Sequence, residues 1–289
     1  MKRYLSFMLL AGALSARAQQ TEPVKSILDE FYHHPEHIMV TAHRAAHTKY
    51  PENSLAAVKE AIAQGIDVAE IDVRETKDNV LIIMHDKDIQ RMTGKPGLVR
   101  DFTYAELQQF PLLFNGQPST EKIPTFDELL KLAKGKIMID VDFKEGRKEP
   151  AQQAIELIVA NQMQDQVLFF LYDHRYAPLL HEWNPAIPIM PRAHSAAEIQ
   201  EILQIGEKQG KFPAIHIDDS FYSDTLMQKI TSNGSRIWTN ALGKYDNLEK
   251  VTADSGFDQL RKDVKYANAI QTDHPEKLLA YLRKKGLHK

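Results

Sequence analysis

Short apolar runs alternate along this chain with longer stretches in which apolar residues recur every three or four positions, the marks of strands and amphipathic helices. A lead-in helix is expected over about 19–36, with Ile27, Leu28 and Phe31 on one face. Residues 38–42 read as a first strand ending at His43. Either Asn53 or Ser54 caps the next helix, where Leu55, Val58 and Ile62 share a face and Gly65 ends the element. Residues 68–73 form the second strand, which carries Glu70 and Asp72. The next apolar run, 80–84, follows too closely for a parallel crossover, which takes a dozen or more residues. It must fold back as a hairpin and return His85 toward Glu70 and Asp72. Residues from 86 to about 120 lose the alternation and are punctuated by Gly94, Pro96, Gly97, Pro111, Gly116 and Pro118. They are expected to be an insertion, a cap or lid over a site.

Regular alternation then resumes. A helix carries Phe126, Leu129, Leu130 and Leu132, and strand 137–143 follows with Asp140 and Asp142 on one face. Helices over 149–162, 174–183, 196–209 and 222–233 separate strands at 167–171, 187–190, 214–217 and 236–239. A last strand at 269–272 precedes a helix with Leu278, Leu279 and Leu282. Strand–helix alternation implies a parallel sheet, and a (β/α)8 TIM barrel is the expected fold. Counting every strand-like run, the return at 80–84 included, gives nine, one more than a barrel takes. The weakest are 187–190 and 214–217. An open doubly wound sheet is the second choice. It would show a glycine-rich loop after its first strand, where this chain has His43-Arg44-Ala45-Ala46-His47.

The first residues change the picture of where this barrel works. Lys2 and Arg3 precede an apolar run to about Leu14, and Ala16-Arg17-Ala18 supplies a small-x-small cleavage site. Residues 1–18 are expected to be a secretory signal, since the run falls short of the roughly 20 apolar residues of a membrane span. The rest, 19–289, is expected to be one barrel domain, exported to a periplasm or secreted, with no stable membrane anchor. No cysteine occurs, so export brings no disulfides. Removing Lys2, Arg3 and Arg17 leaves 33 basic and 39 acidic residues, a formal charge of −6. That balance argues against nucleic acid as a partner, and a site for an anionic small molecule must build its own positive field. Oligomeric state is not fixed by the sequence.

The candidate chemistry lies at strand ends. Glu70 and Asp72 put two carboxylates on one strand face, a costly pair unless a positive charge sits between them. Oxygen donors of this kind suit one hard divalent cation, Ca²⁺ or Mg²⁺. His43 and His85 end flanking runs and suit proton transfer in both directions. Arg44 offers a fork of donors to a phosphate, or else an ion pair to Glu52. His47 is expected to face solvent.

Taken together, His43-Arg44-Ala45, Pro51-Glu52-Asn53-Ser54, Gly65-Ile66-Asp67, Glu70-Ile71-Asp72-Val73, Thr76-Lys77-Asp78 and His85-Asp86 resemble the pattern of the glycerophosphodiester phosphodiesterase family, within the wider group that includes the phosphatidylinositol-specific phospholipases C. The family's glycine after His-Arg is Ala45 here. The resemblance implies metal-dependent hydrolysis of a glycerophosphodiester to sn-glycerol 3-phosphate and an alcohol. It implies Asp142 as the third metal ligand, where the family has a glutamate, and Lys144 as a phosphate-binding charge, or else an ion pair to Asp142 or Asp72. Asp140 is a deeper acceptor or an alternative ligand. Glu52 and Asn53 would orient the first loop. Trp238, with Thr239 and Asn240, matches an aromatic-polar strand end, and with Phe170, Leu171 and Tyr172 would wall the alcohol pocket or simply pack the barrel top. Asp273, in the closing Ile270-to-Pro275 motif, is expected to be structural, and His216, Asp218 and Asp219 to be pocket lining or a helix cap. Two other readings remain. One is an exported, non-catalytic phosphodiester-binding protein on the same barrel. The other is a glycosidase, disfavoured because Glu70 and Asp72 share a face and do not bracket a sugar.

Overall fold

The structure is a computed structural model and describes residues 23–289. The segment read as an export signal, and the first residues of the lead-in helix, lie outside the described residues. Eight parallel strands form the barrel: β1 (Met39–Ala42), β2 (Val68–Glu75), β6 (Met138–Phe143), β7 (Val167–Leu171), β8 (Ile189–Pro191), β9 (Ala214–His216), β10 (Arg236–Asn240) and β11 (Ala269–Thr272). The ladder runs β8-β7-β6-β2-β1-β11-β10-β9. It closes through one bridge, Arg192 to His216, beside which the Ala193 N–H donates to the His216 carbonyl at 2.9 Å. The run at 80–84 does fold back: β3 (Leu81–Ile83) pairs antiparallel to β2, Val73 opposite Ile83. The sequence count of nine barrel strands is therefore one too many. The two runs that looked weakest are both barrel strands, short ones of three residues each.

Around the barrel lie α2 (Leu55–Gln64), α5 (Phe126–Ala133), α6 (Lys148–Ala160), α7 (Ala177–Trp183), α8 (Ala196–Gln209), α9 (Asp224–Ser232), α10 (Lys244–Val251), α11 (Ser255–Asp263) and α12 (Pro275–Lys284). Ser54, not Asn53, caps α2: its hydroxyl accepts from the Ala57 N–H at 3.1 Å, and Gly65 ends the helix with φ of 73°. The insertion contains α3 (Gln90–Thr93), α4 (Tyr104–Leu107) and a ribbon of β4 (Leu113–Phe114) and β5 (Gln117–Pro118). It has a small core of its own, in which Ile89, Met92, Val99, Leu107 and Leu112 pack on Ile82 and Met84 of the hairpin.

Helices α10 and α11 were not legible as apolar periodicity. The inward face of α10 carries Tyr245 with two buried carboxylates, Asp246 and Glu249. These act as connectors. Asp246 accepts from the Thr272 hydroxyl at 2.6 Å and from the Asp273 N–H at 2.9 Å, and Glu249 accepts from the N–H groups of Asp254 and Gly256. A Cβ on Gly256 would stand 2.0 Å from the Tyr245 carbonyl oxygen, so the close packing of α10 on α11 admits only glycine there.

The barrel interior follows the two-residue period of a strand. At the floor every strand contributes an apolar residue: Met39, Val68, Met138, Leu168, Met190, Ala214, Trp238 and Ala269. Helix α1 (Pro23–His33) plugs this end with Val24 and Phe31, and Ile27 and Leu28 pack beside them as expected. Two residues further on, the same faces carry Thr41, Glu70, Asp140, Phe170, Arg192, His216, Asn240 and Gln271. Two further still come His43, Asp72, Asp142, Tyr172 and Asp273. The interior thus passes from an apolar floor to a polar mouth at the C-terminal ends of the strands.

Candidate active site

The carboxylates come together as their spacing predicts. Glu70 and Asp72 on β2 lie in register with Asp140 and Asp142 on β6. Glu70, Asp72 and Asp142 each present an oxygen, all within 4.8 Å of one another. Glu70 and Asp72 are 2% and 1% exposed, so water does little to screen their charges. Burial, and then the charges of Asp72, Asp142 and Asp140, push Glu70 well above the usual carboxylate range. Burial also pushes Asp140 and Asp142 up: for Asp140 the Asp142 charge adds to the rise, and for Asp142 Lys144 opposes it while Asp72 adds to it.

Protein donors satisfy only part of this cluster. The Arg44 N–H donates to Glu70 at 2.7 Å, and the Asn53 amide to Asp72 at 2.7 Å. Lys144 Nζ reaches Asp142 at 2.5 Å and lies 3.0 Å from Asp72 Oδ1, the latter without hydrogen-bond alignment. Burial opposes the Lys144 ammonium, but Asp72 and Asp142 outweigh it and hold its proton more tightly than usual. The Tyr172 hydroxyl donates to Asp142 at 2.8 Å. One buried oxygen on each of Asp72, Asp140 and Asp142 still has no hydrogen-bond donor. An all-oxygen donor set with unsatisfied buried atoms and excess negative charge fits a hard divalent cation.

Both histidines reach the mouth, and each is held at Nδ1 by a carboxylate. His43 Nδ1 lies 2.7 Å from Asp273, and His85 Nδ1 lies 2.7 Å from Asp86. Burial works against the Asp273 charge, yet the His43 bond keeps it below its ordinary pKa. Asp86 is likewise opposed by burial but held at about 2 by Arg91 and His85. His85 is brought here by the hairpin, since the Met84 N–H donates to the Asp72 carbonyl at 2.9 Å. Glu52 accepts from Arg44 at 2.9 Å and from Arg91 at 2.7 and 2.8 Å, and Arg44 Nε stands 3.7 Å from Asp72. Ion pairs thus run from Asp86 through Arg91, Glu52 and Arg44 to Asp72, tying the insertion to the first loop.

Arg44 and Ala45 take left-handed backbone, at φ of 51° and 64°. Ala45 stands where the family has glycine, and is fixed there by its N–H, which donates to the Glu70 carbonyl at 3.0 Å. His47 does not face solvent as expected. It is half-buried, with Nδ1 2.9 Å from the His43 carbonyl and Nε2 3.8 Å from Asp273.

A cavity of about 140 Å³ opens beside these groups, lined by His43, Glu70, Asp140, Asp142, Phe170, Tyr172, Arg192, His216 and Asn240 among others. His216 lies at its base, where burial, and then the nearby Arg192, lower its pKa to about 4. Trp238 lies beneath this cavity and not on its wall. It is wholly buried in the floor layer, and its indole N–H donates to Gln271 at 3.1 Å. Leu171 packs on the outer side of the barrel. Of the four residues expected to wall an alcohol pocket, Phe170 and Tyr172 line the cavity. Sequence reasoning had no role for Asp246 or Arg192, and read Asp273 as structural. The two-residue period places Asp273 above Gln271, and that was the available signal.

Comparison with known proteins agrees with this architecture. Residues 43–202 match the model of the glycerophosphoryl diester phosphodiesterase family. A putative glycerophosphodiester phosphodiesterase of Bacillus subtilis, YhdW, is 33% identical over 263 residues, covering 86% of this chain and 98% of that protein. A glycerophosphoryl diester phosphodiesterase of Parabacteroides distasonis superposes with a TM-score of 0.76 at 23% identity, over 91% of this chain and 92% of the other. An Oleispira antarctica phosphodiesterase, solved with its product sn-glycerol-3-phosphate, superposes at 0.70 with 24% identity over 86% and 97%. The barrel is thus shared with these structures, and the family model and the full-length relative establish that this chain belongs to the glycerophosphoryl diester phosphodiesterase family and is a phosphodiesterase.

Proposed function

We propose that this enzyme cleaves glycerophosphodiesters to sn-glycerol 3-phosphate and a free alcohol, using His43 and His85 for proton transfer beside a cation held by Glu70, Asp72 and Asp142. The observation that carries the reading is the pairing of each histidine Nδ1 with a carboxylate at 2.7 Å, at the same mouth as the buried carboxylate trio. With Nδ1–H donated to Asp273 or Asp86, each ring leaves Nε2 free to take or give a proton. A bound Ca²⁺ or Mg²⁺ would supply positive charge to a non-bridging phosphate oxygen. Arg44 and Lys144 add fixed positive charge for the remaining phosphate oxygens. One histidine takes the proton of the attacking hydroxyl and the other protonates the departing alkoxide. The family resemblance favours the substrate's own neighbouring hydroxyl as attacker, with water opening the cyclic phosphate. The product named for the Oleispira antarctica relative is the one this scheme yields.

A non-catalytic binding protein would need no carboxylate partner on either imidazole, so the two pairs weigh against it. The basic, apolar first segment supports export, so deacylated phospholipids outside the cytoplasm are the proposed source of substrate. Replacing either histidine tests the mechanism. His43→Ala and His85→Ala are each expected to lower kcat by ~10²–10⁴-fold with circular dichroism unchanged. Wild-type rates in both variants would remove the acid–base scheme.

A further inference from the structure

A second cluster of ligating side chains lies at the opposite end of the barrel. His37 stands just before β1, Asp67 just before β2, and His288 just after α12. Each offers one atom within 4.8 Å of the others. All three side chains are buried, between 5% and 6% exposed. The two imidazole centroids are 4.2 Å apart.

The hydrogen bonding of the cluster is incomplete in a particular way. His288 Nδ1 lies 2.9 Å from the Lys289 carbonyl oxygen and its Nε2 lies 2.9 Å from Asp67 Oδ2. Both ring nitrogens therefore face oxygen acceptors. A neutral imidazole carries one N–H, so the second contact needs an extra proton or a cation in its place. His37 Nδ1 lies 3.4 Å from the buried Glu30 carboxylate, and its Nε2 is buried with no partner. This is the arrangement by which ligating histidines are set, one ring nitrogen on an oxygen acceptor and the other turned to the metal. Asp67 is fixed in turn by the Val40 N–H at 2.7 Å.

We propose that His37, Asp67 and His288 form a binding site for a transition-metal ion of the Zn²⁺ type, separate from the carboxylate site at the mouth. Two imidazoles and one carboxylate are a donor set such ions take, with a fourth position left for water, whereas the hard all-oxygen site prefers Ca²⁺ or Mg²⁺. An ion here would join the entrances of the first two strands to the segment that follows the last helix. Its role would be to hold those ends of the barrel together, and it would compete with the proton on His288.

The test uses the full metal-stripped chain and Zn²⁺ alone, with equilibrium dialysis for stoichiometry and zinc-edge anomalous scattering for position. Wild type is expected to bind one more Zn²⁺ per chain than His288→Ala or His37→Gln. An anomalous peak should lie between the three side chains, and Tm should rise with Zn²⁺ in wild type but less in either variant. Phosphodiesterase turnover with Mg²⁺ or Ca²⁺ should be the same in all three proteins, which checks that the variants fold. Equal Zn²⁺ stoichiometry in wild type and variants, or an anomalous peak only beside Glu70, Asp72 and Asp142, would overturn the proposal.

Discussion

Ala45 holds a left-handed backbone position without the glycine that the family pattern carries there. Left-handed backbone costs a non-glycine residue about 1–2 kcal/mol, while glycine costs about 0.4–1 kcal/mol through the freedom of the unfolded chain. Ala45 holds φ of 64° and is fully buried. Restoring the family residue with Ala45→Gly is therefore expected to leave stability unchanged or raise it by up to about 1 kcal/mol, with kcat retained. A urea midpoint well below wild type would show that the alanine methyl packs better than this reading allows. Asp273 is the second informative residue. It touches no substrate atom in this account and acts by holding His43 at Nδ1. Asp273→Asn keeps the shape but presents either an amide N–H or a neutral oxygen to Nδ1. The loss is expected in kcat more than in KM, with the pH–rate profile displaced. An unchanged profile would return Asp273 to the purely structural role expected from the sequence.

At the scale of elements, the strands were legible and the helix with the polar face was not. Two-residue alternation alone sets the polar layer two positions above the apolar floor, which is why the sequence puts Glu70 with Asp72, and Asp140 with Asp142, on one strand face each. The ninth apolar run is the hairpin return, which pairs antiparallel outside the barrel, and the two weakest runs are genuine but short strands. Helix α10 escaped because its inward face is made of Asp246 and Glu249, whose partners are backbone and hydroxyl donors that no periodicity reveals. The pairing of His43 with Asp273 joins residues 230 positions apart, a contact created by the pairing of the first barrel strand with the last. Arg236 teaches the same lesson at the floor. Its guanidinium donates to the carbonyls of Glu30, Phe31, His34, His37 and Asn268 at 2.5–2.9 Å, closing the C-terminal end of α1 onto the barrel. Burial lowers its pKa to about 10, so the charge persists at neutral pH. Arg236→Leu removes the side-chain donor from all five carbonyls, of which those of Glu30, His34 and Asn268 keep a backbone N–H, and is expected to cost about 3–5 kcal/mol, read from urea unfolding. A cost below about 1 kcal/mol would mean that water replaces the guanidinium.

For the whole molecule, the carboxylate cluster couples stability to pH and, on the proposed reading, to a divalent cation. Burial and mutual repulsion raise the folded-state pKa values of Glu70, Asp140 and Asp142 above their ordinary values of 4.5 and 3.8. Without a cation, the folded state then holds more protons than the unfolded chain above about pH 4. Stability is fully present below the unfolded values and is lost as pH rises through the raised ones. A divalent ion bound as proposed would replace those protons and remove the loss. The gap in Tm between ion-loaded and chelated protein is therefore expected to widen as pH rises above the ordinary carboxylate values of 4.5 and 3.8. A gap that stays constant, or narrows, would mean that the trio is stabilised by Lys144 alone.

The most direct measurement strips the full chain of metal and follows glycerol 3-phosphate release from glycerophosphocholine, glycerophosphoethanolamine and glycerophosphoinositol, with Ca²⁺ and Mg²⁺ added back separately. The account predicts no release without an ion and restored release from at least one substrate with Ca²⁺ or Mg²⁺. It also predicts that Asp72→Asn cannot be rescued at the same ion concentration. Undiminished release from the stripped enzyme, or wild-type rescue of Asp72→Asn, would contradict it.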